Sequence, residues 1–165
     1  MKPNYVRIID YRRVRARDAR FVLDAPEKVY DAIREMKVFP DDGKEHFGEF
    51  LLDFGNQLIG YHPVCVGTGD HFVTSSRDVF GPALRTVGCA RVILVHNHPS
   101  GRPDPSYADI ELTKTFVKLG RALDVHVIDH VIVATGRRKR FASMAQEGLI
   151  RDEAHHDTDA GRKKA

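Results

Sequence analysis

The sequence predicts an α/β (α+β) fold in which a mixed central β-sheet is flanked by helices. Residues 91–95 (Arg-Val-Ile-Leu-Val) form a short apolar run rich in β-branched side chains, which is typical of a buried strand. A helical pattern begins at Ser106, and a second apolar strand pattern covers residues 125–133. Two further strand patterns, at residues 45–53 and 58–66, are separated by a Gly-Asn turn signal.

Two histidines stand at the end of the first of these strands. Because side chains two residues apart on a strand point to the same face, His96 and His98 converge if the strand continues through them. Three prolines and a glycine within residues 99–105 end the strand and build a rigid loop. Ser106 is then the predicted N-cap of a helix that extends to about Leu123.

The first turn of that helix carries a carboxylate on its core-facing side. Apolar residues at spacings of four, three and four form the predicted inward stripe: Leu112, Phe116, Leu119 and Leu123. Asp109 precedes the stripe by three residues and extends it. A buried carboxylate needs a partner, and a metal ion is a suitable one. Since two imidazoles, one carboxylate and a water form a typical catalytic zinc sphere, we predict one zinc ion bound by His96, His98 and Asp109.

Each part of this pattern also has a purely structural interpretation. Ser-x-x-Asp before an apolar run is a capping box, and a histidine near a strand end is commonly a hydrogen-bonded polar residue. The His-x-His pair, the gap of seven residues and Ser106-x-x-Asp109 are together far more specific than their parts. The letters of residues 96–98 also spell HNH, but that nuclease motif is dispersed and gives the Ser-x-x-Asp spacing no role.

The combined pattern His96-x-His98-(seven residues)-Ser106-x-x-Asp109 resembles the motif of the JAMM (JAB/MPN) metallopeptidase family. The string His-Asn-His-Pro-Ser-Gly at residues 96–101 is similar to the RadC-like branch of that family. The resemblance covers roughly residues 45–150 and implies a JAB/MPN cytidine-deaminase-like core. The matching segments are residues 45–53 and 56–60 in a hairpin, 77–84 in a helix, 129–133 in a later strand and 143–148 at the close.

The resemblance also implies catalytic residues. JAMM enzymes use a glutamate upstream of the histidines as general base, and the family spacing places that role on Glu45. Glu49 lies on the same face of the strand and is the rival. By similarity, the Ser106 hydroxyl donates a hydrogen bond to the developing oxyanion. The implied reaction is amide hydrolysis of a peptide or protein-conjugate substrate, in which Glu45 takes a proton from a zinc-activated water.

Two other histidines, His126 and His130, lie four residues apart on the predicted strand 125–133 and are expected to share a face. They could bind metal, but polar strand positions or partners of the ligands are the favoured interpretations.

The amino-acid composition limits the class of protein to which the chain can belong. The chain has 165 residues, of which 30% are charged and 42% hydrophobic, as in an ordinary globular domain. It has no apolar run of membrane-spanning length and no apolar N-terminal signal, so we expect a cytoplasmic protein that does not contact a membrane. The two cysteines, Cys65 and Cys89, are too few for a disulfide scaffold and are expected to be packed thiols.

Three regions are predicted: a basic βα lead-in at residues 1–44 packed on the core, the zinc domain at residues 45–150, and a flexible polar tail at residues 151–165. Residues 1–20 carry a net charge of +5, which leaves −2 for the rest of the chain. Their basic edge-strand patterns could contact DNA or support a homodimer, although a solvated edge is the simpler interpretation.

Two classes of function stay open. The first is a zinc-dependent metallopeptidase or isopeptidase. The second is an accessory protein of DNA repair or recombination with a structural or vestigial metal site. Longer RadC proteins carry a helix-hairpin-helix DNA-binding region at the front. Residues 1–44 show no such pair of helices, which weakens the second class.

Overall fold

A computed structural model describes residues 21–67, 74–134 and 141–150. Within these ranges the elements are α1 (Pro26–Met36), β1 (Glu45–Leu52), β2 (Leu58–Gly67), α2 (Ser76–Arg85), β3 (Arg91–His98), α3 (Tyr107–Ala122), β4 (His126–Ala134) and β5 (Phe141–Ser143). The strands form one sheet in the order β2-β1-β3-β4-β5. β3 and β4 are parallel, and the other neighbouring pairs are antiparallel. This confirms the predicted mixed α/β fold.

α1 covers one face of the sheet. Val29 and Ile33 belong to its buried side and pack in one core with Val95 of β3. Pro26 begins the helix, where its fixed φ suits the first turn. Lys37 ends it with a left-handed φ of 50°.

α2 and α3 cover the opposite face. Phe80 of α2 and Phe116 of α3 meet edge to face, with ring centroids 6.0 Å apart, above Leu94 of β3. Cys65 and Cys89 are half-buried free thiols at the edge of this second core, as expected. Odd-numbered and even-numbered residues of β3 therefore serve different cores, which fixes the face on which each of its polar residues lies.

The inward stripe of α3 is out of phase with the prediction. Its buried residues are Asp109, Thr113, Phe116 and Gly120, whereas Leu112 and Leu119 are half-buried and Leu123 is 38% exposed. The observed stripe keeps the spacing of four, three and four, but it starts at the aspartate. Gly120 fits this stripe because a Cβ there would overlap the carbonyl oxygen of Val125, at the entry to β4.

The register between β3 and β4 shifts at Ile128, which is skipped in the pairing of the two strands. One extra residue reverses the alternation of side chains beyond it. His126 is exposed, whereas His130 is fully buried against α3. The prediction that these two histidines share a face is therefore wrong, because it assumed an unbroken strand.

Several predictions concern residues that the structure does not describe. The basic strand patterns of residues 1–20 and the tail at residues 151–165 lie outside the described ranges. The domain boundaries at residues 44 and 150 stay predictions. In the described part of the chain, no helix has both the length and the apolar character that a bilayer span requires.

Candidate metal centre

The end of β3, the start of β1 and the first turn of α3 meet at one edge of the sheet. The antiparallel register pairs Phe47 with His96, which brings the start of β1 beside the end of β3. Four side chains each place one ligand atom within 4.8 Å of all the others: Glu45, His96, His98 and Asp109. The structure thus brings together the predicted metal ligands and the predicted general base.

Three of these side chains are spaced to share one ion. Nε2 of His96 lies 2.8 Å from Nε2 of His98, and these nitrogens lie 3.5 and 3.6 Å from the nearer oxygens of Asp109. Tetrahedral zinc with bonds of ~2.0–2.1 Å separates its ligands by about 3.3 Å. The nearer oxygen of Glu45 is more distant, at 3.7 and 3.8 Å from the two nitrogens. The donor set therefore fits a divalent cation, with Glu45 beside it.

The outer nitrogen of His98 fixes the orientation of its ring. Nδ1 of His98 lies 2.8 Å from the carbonyl oxygen of Arg102, in the loop that precedes α3. A carbonyl oxygen can only accept, so Nδ1 donates and the neutral ring presents the lone pair of Nε2 to the centre. A histidine that binds metal characteristically donates its other N–H in this way.

Ser106 and Asp109 form a capping box at the start of α3. The backbone N–H and the hydroxyl of Ser106 both donate to Oδ2 of Asp109, at 2.8 and 2.6 Å, and the N–H of Asp109 donates to the hydroxyl at 3.1 Å. The helix-capping interpretation of Ser-x-x-Asp is therefore correct, and it is compatible with the predicted role of Asp109 as a metal ligand. The cap holds the carboxylate so that it faces both imidazoles.

Burial and local charge set the ionisation of these groups. Full burial lowers the pKa of His96 well below 6.5. Burial raises the pKa of Asp109, but the neighbouring His98 and His96 and the hydrogen bonds from Ser106 outweigh it and hold the pKa well below 3.8. Burial lowers the pKa of His98, yet the neighbouring Asp109 carboxylate and the Arg102 carbonyl produce a net rise. An ionised carboxylate and a neutral His96 are the forms that bind a cation.

Glu49, the rival for the role of base, lies away from the centre. Its carboxylate is fully buried, and one oxygen lies 3.2 Å from Nδ1 of His62 on the neighbouring strand β2. The other oxygen has no hydrogen-bond partner among the described residues. Burial raises the pKa of Glu49 to about 7. Glu49 is therefore not part of the cluster that Glu45 joins.

The sequence alone predicts no role for Asn97, which lies between the two histidines. Its side chain is buried on the other face of β3, where Oδ1 accepts from the N–H of His46 at 2.8 Å and Nδ2 donates to the carbonyl of Lys44 at 2.9 Å. These two backbone groups flank Glu45. Its position directly between His96 and His98, the two predicted ligands, is the sequence signal that could have identified it.

A buried hydrogen-bond network lies beneath His96. Nδ1 of His96 lies 2.8 Å from Nε2 of His130, and Nδ1 of His130 lies 2.6 Å from the hydroxyl of Thr113 in α3. That hydroxyl also donates to the carbonyl of Asp109 at 2.6 Å. Burial lowers the pKa of His130 to about 4. A partner of the predicted ligands is one interpretation that the sequence supports for His130, whereas no sequence pattern distinguishes Thr113.

The centre lies in a part of the chain that matches a known family. Residues 23–149 match the family model described as a RadC-like JAB domain. The chain belongs to the RadC-like JAB domain family. The recognition made from the histidine and Ser-x-x-Asp motifs is therefore confirmed, and the mixed sheet with its flanking helices is consistent with the JAB/MPN fold.

This RadC-like JAB domain is similar to several UPF0758 proteins. It is 37% identical over 133 residues to one from Desulforamulus reducens, covering 81% of this chain and 56% of that protein. It is 38% identical over 126 residues to one from Geobacter sulfurreducens, covering 76% and 52% of the two chains. A Methanosarcina barkeri relative is 37% identical over 123 residues, covering 74% and 49%. The chain thus spans about half the length of the curated relatives it matches.

Proposed function

We propose that this chain is a zinc-dependent hydrolase that cleaves an amide bond in a peptide or a protein conjugate. One observation carries the proposal: the Glu45 carboxylate stands 3.7 and 3.8 Å from the imidazole nitrogens of a two-histidine, one-aspartate donor set. Three protein ligands leave a fourth position for water, as in catalytic rather than structural zinc sites. Membership of the RadC-like JAB domain family supports the same class of protein.

The proposed roles follow from position. His96, His98 and Asp109 would hold the zinc ion, which when bound lowers the pKa of a water molecule and polarises a carbonyl group. Glu45 is 11% exposed, so its carboxylate is held in place yet open to water. With the ion in place, Glu45 would accept a proton from the attacking water and would deliver it to the leaving amine.

Ser106 is proposed to stabilise the oxyanion. The residue is exposed at the rim of the centre, and its hydroxyl donates to Asp109 in the structure. Reorientation of the O–H toward a bound substrate would supply a hydrogen bond to the developing negative charge. One such donor can lower the activation free energy by about 2.7–4 kcal/mol.

The test is zinc-dependent cleavage by the untagged chain. Peptide and isopeptide libraries are incubated with zinc-loaded protein, and products are identified by mass spectrometry. We expect cleavage that a chelator abolishes and zinc restores. Glu45→Gln should keep one zinc per chain and lose turnover, whereas the matched variant Glu49→Gln should keep both.

Two outcomes would contradict the proposal. Turnover that survives in Glu45→Gln and disappears in Glu49→Gln would move the role of base to Glu49. Zinc-loaded protein that cuts no library, combined with DNA binding that weakens steeply with salt, would favour the accessory class. The basic residues on which that class depends lie at residues 1–20, outside the described ranges. Homodimer formation likewise stays a prediction.

A further inference from the structure

The fully buried His130 has a defined partner at each ring nitrogen. Nε2 faces Nδ1 of His96 at 2.8 Å, and Nδ1 faces the hydroxyl of Thr113 at 2.6 Å. His130 reaches this position because the register shift at Ile128 turns it toward α3. Bulges commonly redirect side chains beside functional sites.

The direction of each hydrogen bond follows from one fixed acceptor. The hydroxyl oxygen of Thr113 lies 2.6 Å from the carbonyl oxygen of Asp109, and a carbonyl oxygen can only accept. Two oxygens at that distance repel unless a hydrogen lies between them, so the hydroxyl hydrogen is committed to Asp109. The same hydroxyl oxygen must then accept from Nδ1–H of His130.

The remaining protons are now determined. A neutral His130 that carries its proton on Nδ1 has a lone pair on Nε2, which accepts from Nδ1–H of His96. His96 therefore has its lone pair on Nε2, the atom that faces His98 and Asp109. Because Nε2 of His98 also presents a lone pair, the two nitrogens at 2.8 Å favour a cation between them.

We propose that His130 and Thr113 are positioning residues that hold His96 in the Nδ1–H tautomer and so direct Nε2 toward the metal. The hydrogen bonds form a relay that begins at the backbone of Asp109 and ends at the ring of His96. It therefore links two proposed ligands that lie on different elements, α3 and β3. This inference rests on the proposed metal site, and it is independent of which bond the site hydrolyses.

The tautomer can be measured directly. In metal-free wild-type protein at neutral to mildly alkaline pH, imidazole ¹⁵N NMR should show His96 protonated at Nδ1 and unprotonated at Nε2. Thr113→Val keeps the shape of the side chain but removes the hydroxyl. We expect a mixed tautomer of His96 in this variant and restoration of the wild-type pattern in Thr113→Ser.

Zinc affinity supplies a second readout besides activity. Competition with a chromophoric chelator should give a loss of about 10–100-fold for Thr113→Val and for His130→Gln, the range typical of residues that orient metal ligands. Thr113→Ser should bind as wild type. The matched control is His126→Gln, an exposed histidine of the same strand, which should also bind as wild type. Thermal unfolding of the metal-free variants checks that each one folds.

Two results would overturn the relay. The first is Nε2–H protonation of His96 in the metal-free wild type, which needs no variant to fold. The second is wild-type zinc affinity in folded Thr113→Val. If the proposed hydrolase function is wrong but the relay is right, the results differ from these two. Zinc binding and the His96 tautomer would then be as expected, while no amide substrate is cut.

Discussion

The side chain of Asn97 is hydrogen-bonded to the backbone on both sides of Glu45. It accepts from the N–H of His46 at 2.8 Å and donates to the carbonyl of Lys44 at 2.9 Å. The residue between the two proposed ligands thus holds the strand that carries the proposed base. We call this pair of hydrogen bonds the Asn97 clamp. The distance from Glu45 to both imidazoles depends on the clamp as well as on the pairing of β1 with β3.

Asn97→Ala should therefore impair catalysis more than metal binding. Loss of both bonds frees the start of β1, and a displacement of about 1 Å at a catalytic group can cost on the order of 100-fold in rate. Asn97→Asp keeps the acceptor for His46 and loses the donor to Lys44, so an intermediate effect is expected. The measurement is the rate of peptide cleavage with zinc content determined on the same samples. An unchanged rate in folded, zinc-loaded Asn97→Ala would contradict the clamp.

Ser106→Ala separates capping from catalysis. Loss of the cap should cost about 1 kcal/mol of unfolding free energy, while loss of an oxyanion donor should lower the rate by ~100-fold or more. Ser75→Ala is the matched control, because Ser75 and Asp78 form a similar cap on α2 with a hydroxyl-to-carboxylate distance of 2.7 Å. Urea unfolding and cleavage rates are compared for both variants. Equal loss of activity in the two would show that Ser106 acts only on stability.

The buried carboxyl of Glu49 should make the free energy of unfolding depend on pH. Its pKa is about 7 in the folded chain because of burial, against an ordinary 4.5. Between these values folding takes up a proton, so the carboxyl makes the protein progressively less stable as the pH rises from 4.5 to 7. The full difference between the two pKa values corresponds to a loss of roughly 3 kcal/mol in the free energy of unfolding.

Glu49→Gln removes this contribution. The variant should lose less stability than wild type between pH 5 and pH 8 in urea unfolding experiments. Glu111→Gln is the control, because Glu111 is exposed and pairs with Lys114 at 2.8 Å on the surface of α3. Parallel pH profiles for wild type and Glu49→Gln would show that the Glu49 carboxyl is not the source of the dependence.

The sequence predicted most of the fold and the residues that the structure brings together at the candidate metal centre. Strand alternation placed His96 and His98 on one face, and a helix phase placed Asp109 inward, because both rules depend on local geometry alone. The same local rules misplaced the stripe of α3, since the apolar leucines do not reveal that Thr113 and Gly120 are its buried members. β5 was not predicted, because three residues are too few to show a periodicity.

Contacts distant in the sequence were harder to predict. Alternation could not separate Glu45 from Glu49, because residues four apart on a strand share a face. The structure separates them along β1, where four residues correspond to ~13 Å. His130 was assigned to the wrong face for a different reason: the shift at Ile128 depends on the pairing of β4 with β3, which a single strand pattern does not contain.

The central claim is that His96, His98 and Asp109 bind one zinc ion beside Glu45. Its most direct test is metal analysis of untagged protein, combined with zinc-edge X-ray absorption of wild type, His96→Ala and Glu45→Gln. We expect about one zinc per chain, held by two imidazoles and oxygen ligands at ~2.0–2.1 Å, in wild type and in Glu45→Gln, and loss of the ion in His96→Ala. A zinc site that persists unchanged in folded His96→Ala, or a folded wild-type chain that binds no divalent metal, would contradict the account.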